Sequence, residues 1–178
     1  MIGNIKIIAV CMCKVYDERN YRIIRALNNF AVENDYRLFV YHTCSDLYWK
    51  TLSEKGEQSV FDLIDYNITD AVVTFEEGVY AENVMTKIRM DAAKYGKPVI
   101  SVGVEHDDCI SIKFGYAKGF EQVVRHVIEQ HGVRDIGFIA GRKDEENSEE
   151  RIAVFRKLLE EYDLSLIHIS EPTRLRRI

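Results

Sequence analysis

At 178 residues the chain is long enough for one ordinary domain. Its 47% hydrophobic and 30% charged residues are the balance of a globular protein and exclude a disordered one. A formal net charge of −5 offers no broad basic surface for nucleic acid, and no run approaches the roughly 18 apolar residues of a membrane span.

The first predicted strand begins almost at Met1, with no basic stretch, apolar core and cleavage site ahead of it, so a cytoplasmic location is expected. Cys11, Cys13, Cys44 and Cys109 form no C-x2-C pair and have no histidine at zinc spacing. They read as thiols of a reducing compartment, with no metal and no cofactor implied.

Taken in chain order, strand and helix signals alternate. Ile5 to Met12 is a continuous apolar run, as in a strand buried on both faces. Asp17 to Asn34 carries Tyr21, Ile24, Leu27, Phe30 and Ala31 at helical period, with Asp17 or Asn20 available to cap its start. Arg37 to His42 is a second strand. Glu57 to Tyr66 is a helix with Val60, Phe61 and Ile64 inward. Ala71 to Phe75 is the third strand. Ala81 to Tyr95 is a helix stopped by Gly96 and Pro98. Val99 to Val102 and Cys109 to Ile112 are further strands. Tyr116 to His131 is a helix stopped by Gly132, Asp135 to Ala140 a sixth strand, and Ser148 to Tyr162 a last helix with Ile152, Phe155, Leu158 and Leu159 inward.

Strands alternating with helices predict an α/β fold, a doubly wound open parallel sheet with right-handed crossovers. Ligands of such sheets sit at the carboxyl ends of the strands. The loops that begin at Cys13, Glu76, Gly103 and Gly141 are therefore the ones to inspect.

The first of these loops leads to Tyr16, Asp17 and Tyr21. An aromatic there can stack on a ring and a carboxylate can accept hydroxyl protons, or Tyr21 packs on the sheet and Asp17 caps the helix. Phe75 and Glu76 follow the third strand, where the alternative is a solvated acidic loop that includes Glu77. Glu105 and His106 follow the fourth, and His106 also reads as plain polar surface. Near the last helix, Asn147 can orient a ligand and Ser148 can cap. Arg151 is expected at the third helical position, where the helix dipole disfavours a cation. It then either grips ligand hydroxyls or a carboxylate, or pairs with the acidic run Glu145 to Glu150. His126 and His131, five apart, are expected on different helix faces, which argues against a metal pair.

His126-Val-Ile-Glu129, Gly132, Asp135-Ile-Gly-Phe-Ile-Ala-Gly141 and Glu150-Arg-Ile-Ala-Val-Phe155 resemble the effector-binding domain of the lactose- and galactose-repressor family, a type I periplasmic-binding-protein-like sensor. The resemblance covers about Lys6 to Asp163 and sets Arg151 at the family's ligand-reaching arginine. It departs at Gly115-Tyr116, where the family often has an aspartate before the helix. It departs again at Arg19-Asn-Tyr-Arg22, where the family often has Asn-Pro-Phe-Phe. The ligand is therefore left as sugar-like or another metabolite.

What the resemblance implies is an N-terminal lobe at 1–112 and the start of a second lobe at 113–163, with the rest of the sensor cut off. Lys113, Phe114 and Tyr116 would serve as hinge, and a small molecule would close the lobes. The intact protein is expected to be a homodimer with no membrane partner, and to meet DNA only through an output domain that this chain lacks. Phe114-Gly-Tyr-Ala117 and Val124 to His131 are similar to sensors fused ahead of GGDEF diguanylate cyclases, and an AraC-type DNA-binding output is the other arrangement considered. No nucleotide-binding glycine loop and no G-x-S-x-G elbow is present, so no catalytic residue is assigned. Leu164-Ser-Leu-Ile-His-Ile-Ser-Glu-Pro-Thr-Arg174 resembles a translated sequencing-library adapter, so 164–178 is read as a non-native tail.

Overall fold

Five parallel strands in the order β2-β1-β3-β4-β5 form the sheet of the computed structural model, which describes residues 5–77, 79–141 and 146–164. They are β1 (Lys6–Cys13), β2 (Tyr36–Thr43), β3 (Ala71–Phe75), β4 (Val99–Val102) and β5 (Ile110–Ile112). The helices are α1 (Glu18–Glu33), α2 (Leu52–Gln58), α3 (Glu82–Lys94), α4 (Tyr116–His131) and α5 (Glu146–Glu161).

β1 pairs with β2 on one side and β3 on the other, and so lies inside the sheet. Ala9 to Cys13 are all buried, so both faces of the strand are covered and its apolar run has no solvent side to fill with polar residues. Register pairs Ala9 with Val72 and Cys11 with Thr74. Ala9, Cys11, Cys13 and Val72 share a core with Leu47, Phe61, Met85, Ile88 and Ala92. From β1 the chain goes outward to β2, then returns across to β3, so the winding reverses between β1 and β3 and the sheet has a switch point there.

The chain divides into two compact units, 1–113 and 114–178. The sheet belongs to the first. In the second, α4 and α5 pack through Val124, Ile128, Phe155, Leu158 and Leu159, with Phe120, Phe138 and Leu164 against them. Arg125 joins the two helices, bonding Glu121 and, across the pair, Glu161 at 2.6 Å and the Tyr162 hydroxyl at 2.9 Å.

Several expectations need correction. The second helix starts earlier than Glu57. Thr51 and Glu54 form a capping box at Leu52, α2 runs from there, and Ser59–Leu63 continues as a 3-10 turn. Phe61 and Ile64 are buried, while Val60 is only half-buried. Asp17 occupies the cap position of α1 without a side-chain cap bond. Asn20 turns back instead and donates to the Cys13 and Lys14 carbonyls at 3.0 and 3.1 Å.

Of the residues at helical period in α1, Tyr21 and Phe30 are exposed, and Ala31 is the one buried residue of the helix. α1 packs on the edge strand β2. Residues 135–140 form no strand, although Ile136 and Phe138 alternate inward, because no described strand stands beside them to complete a ladder. Ser148 is no cap. α5 begins at Glu146, and Ser148 is buried inside it, close enough to Gly141 that a Cβ there would come within 2.1 Å of its Oγ. The tail from 165 onward lies outside the described residues, but Leu164 donates its N–H to Leu159 O at 2.8 Å and packs on the second core.

Candidate functional site at the carboxyl edge of the sheet

Because all five strands are parallel, the segments after β1, β2, β3 and β4 emerge at one edge of the first unit. Asp46, after β2, ties three of them together. Its Oδ2 accepts from Lys14 Nζ at 3.0 Å, its Oδ1 from the Tyr48 N–H at 3.4 Å, and its carbonyl from the Tyr80 N–H at 3.0 Å. Partial burial works to raise the Asp46 pKa, but the Lys14 hydrogen bond and charge, with the Tyr48 N–H, outweigh it and hold the carboxyl below its ordinary value.

A second polar knot is buried under the tips of β3 and β4. Glu76 Oε1 accepts from Thr74 Oγ1 at 2.8 Å, Arg89 at 3.1 Å and Ser101 Oγ at 3.2 Å. Its Oε2 lies 2.9 Å from His106 Nε2 and 3.2 Å from Arg89. The backbone N–H of His106 is fixed by Ser111 Oγ at 2.9 Å. Glu76 is therefore neither on a solvated acidic loop nor turned out to solvent. Nearby, Gly103 has φ +101°, and a Cβ would approach Glu77 Cβ to 2.7 Å, so only glycine fits where these two loops meet.

Two thiols line the inside of this edge. Burial pushes Cys13 up to about 11, although its sulfur accepts from Thr43 Oγ1 at 3.0 Å. Burial, with the Glu76 charge, raises Cys11 as well.

The other residues singled out in the sequence fall into four groups. Tyr16, 80% exposed, meets His42 edge-on at 5.4 Å, and Asp17 and Tyr21 are exposed beside it on the start of α1. Phe75 is half-buried at the end of β3, and Glu105 is paired with Lys113 at 3.6 Å. Asn147 and Arg151 belong to the second unit, where Arg151 Nε donates to the Asn147 carbonyl at 2.9 Å. Arg151 is the sixth residue of α5, a turn further in than the third position expected of it. Phe114 and Tyr116 lie in contact at 5.6 Å.

Reasoning from the sequence missed Lys14, Asp46, Tyr48, Trp49, Tyr80 and Arg89. The run Leu47-Tyr-Trp49 directly after the second strand was a usable signal, since the rule about strand ends applies to β2 as well. His126 and His131 also differ from expectation: their Nε2 atoms are 3.2 Å apart. His131 ends α4, and both rings swing to meet where the helix stops. Among the described residues no group of three or more His, Cys, Asp or Glu is placed to hold a metal, and no helix is long and apolar enough to cross a membrane.

No family model and no curated protein matches the chain. Solved structures do match. The lac repressor dimer bound to operator and the anti-inducer ONPF aligns over 93% of this chain and 55% of its own, at 14% identity and TM-score 0.63. The transcription regulator CcpA of Lactococcus lactis aligns over 90% and 55%, at 19% identity and TM-score 0.66. A periplasmic binding protein/LacI transcriptional regulator from Alkaliphilus metalliredigens, complexed with D-xylulofuranose, aligns over 90% and 54%, at 18% identity and TM-score 0.64. The chain thus has the fold of LacI-type regulator sensor domains, and spans about half the length of the structures it matches.

Proposed function

We propose that this chain is the small-molecule-sensing part of a cytoplasmic regulatory protein, with its ligand taken at the carboxyl edge of the sheet. The observation that carries the proposal is the convergence of the four loops after β1, β2, β3 and β4 on one edge, beside the switch point between β1 and β3. These loops bring rings, a carboxylate, an ammonium group and hydroxyls together, which is the mixture that orients a small polar ligand. That one neighbour is complexed with D-xylulofuranose supports a sugar-like metabolite.

In this proposal Tyr16, Asp17, Tyr21, Phe75 and Glu105 meet the ligand from the first unit, while Glu76 acts from beneath by holding β3, β4 and α3 together. Asn147 and Arg151 join from the second unit, and the backbone turns about Lys113, Phe114 and Tyr116. The ligand then shifts the population towards the closed form by its difference in affinity for the two forms. The output is DNA binding by another part of the protein, supported by the neighbour bound to operator. A cyclase output stands on the resemblance around Phe114 and Val124 alone.

Calorimetry of the chain against a metabolite panel tests the proposal. Saturable heat with one compound, weakened by Glu105→Ala or Arg151→Ala, supports it. Absence of binding across the panel rejects it.

A further inference from the structure

His126 lies on α4, His131 is the last residue of that helix, and both are exposed. On a regular helix two residues five apart point about 140° away from each other. The helix end overrides that spacing. Gly132 takes φ 63°, its N–H donates to Ile128 O at 3.1 Å, and the Val133 N–H donates back to Val127 O at 3.4 Å. These paired bonds close the last turn and fix the backbone that carries His131. The two rings meet at 77°, with centroids 4.9 Å apart and Nε2 atoms 3.2 Å apart.

Two ring nitrogens at this distance either share one proton, with one Nε2 bare and accepting, or hold a cation between them. The spacing suits a cation. Zinc–imidazole bonds are about 2.0–2.1 Å, so neighbouring ligands of a tetrahedral ion stand about 3.3 Å apart and those at right angles about 2.9 Å apart. The 3.2 Å separation falls inside that span. The pair also sits at a helix C-terminus, where the last carbonyls carry partial negative charge and favour a cation. Paired imidazoles select zinc, nickel and copper(II) over magnesium and calcium, which demand oxygen ligands.

We infer that His126 and His131 form a surface chelate for a divalent transition metal, each ligating through Nε2, with water in the remaining coordination positions. The site belongs wholly to the second unit and does not depend on the sensing proposal. An ion bound there fastens the last turn of α4, and because it binds the folded chain it stabilises that unit.

The test uses the whole chain without a polyhistidine tag, its five histidines labelled with 15N. Zinc chloride is titrated by calorimetry and followed by ring-nitrogen NMR, with magnesium chloride as the contrast. The expected result is saturation at one zinc per chain, with two Nε2 resonances shifting together and no response to magnesium. His126→Gln and His131→Gln keep a polar side chain but lose the imidazole. Each is expected to bind zinc about a hundredfold more weakly, since one arm of the chelate is gone. His42→Gln, on β2, stays within about twofold. An unchanged circular dichroism spectrum for each variant shows that the fold survives. Zinc bound as tightly by His126→Gln or by His131→Gln overturns the chelate, as does a shift of one Nε2 resonance alone. Absence of zinc binding overturns it too, and leaves the contact as a hydrogen bond between the two rings.

Discussion

Arg89 NH1 and Glu76 Oε1 stand 3.1 Å apart beneath the tips of β3 and β4, with 8% and 7% of their side chains exposed. The pair joins α3 to the sheet, and His106 closes the same carboxylate from the loop after β4. Arg89 Nε is buried without a hydrogen bond, its nearest acid being Asp108 at 3.4 Å in poor alignment. A charge buried this deeply is tolerated only while its partner is present. Arg89→Met is therefore expected to cost about 3 kcal/mol, measured by urea unfolding, because it strands the Glu76 carboxylate. Glu76→Leu with Arg89→Met should recover most of the loss. A double variant no better than the single one would show that the guanidinium matters for its packing and not for its charge.

The Lys14–Asp46 clamp makes the edge acid-sensitive. The Asp46 carboxyl is held below its ordinary value of 3.8 in the folded chain, so its ionised form is the one that folding favours. Its contribution is complete above that pH and is lost as pH falls through the lower folded value. Trp49, the residue after Tyr48, whose N–H is anchored on Asp46, should report this: its emission is expected to change below pH 3.8 in the native chain, and Asp46→Asn should abolish that transition. A transition that persists in Asp46→Asn would place the acid response elsewhere.

Thiol chemistry should separate Cys44 from Cys11 and Cys13. Cys44 is exposed, whereas Cys11 and Cys13 are buried. With Cys13 pushed up to about 11, almost no thiolate forms at pH 8. Iodoacetamide at pH 8, followed by peptide mass spectrometry, should modify Cys44 first and leave Cys11 and Cys13 intact until the chain is unfolded. Early labelling of Cys13 would mean that the edge opens in solution.

In the second unit, Phe155 is 2% exposed between Phe120 and Phe138. Phe155→Ala should cost about 3 kcal/mol by removing a buried ring from a small core. Ile139, 96% exposed, should accept serine with a change under about 0.5 kcal/mol. Thermal unfolding of both variants provides the comparison.

The alternation of strand and helix, the burial of β1 on both faces and the stops at Gly96 and Gly132 were all legible in the sequence. Each is set by local chemistry: an unbroken apolar run, or a glycine that turns left-handed where a helix ends, with φ of 63° at both. The start of α2 was legible too, in Thr51-x-x-Glu54, and was overlooked for the apolar period that follows it.

What the chain alone could not decide is which neighbour each element finds. Residues 135–140 have a strand's alternation, but whether they join a ladder depends on a partner strand, and none stands beside them among the described residues. Glu76 has the same composition around it whether it faces water or Arg89. Only the packing of α3 against β3 and β4 brings a guanidinium 13 positions away to it. Trp49 lies outward because Leu47 turns inward, an outcome of two left-handed turns within a loop that no periodicity announces. Local propensity acts over a few residues, whereas a site is made where segments distant in the chain converge, and that convergence is a property of the folded sheet.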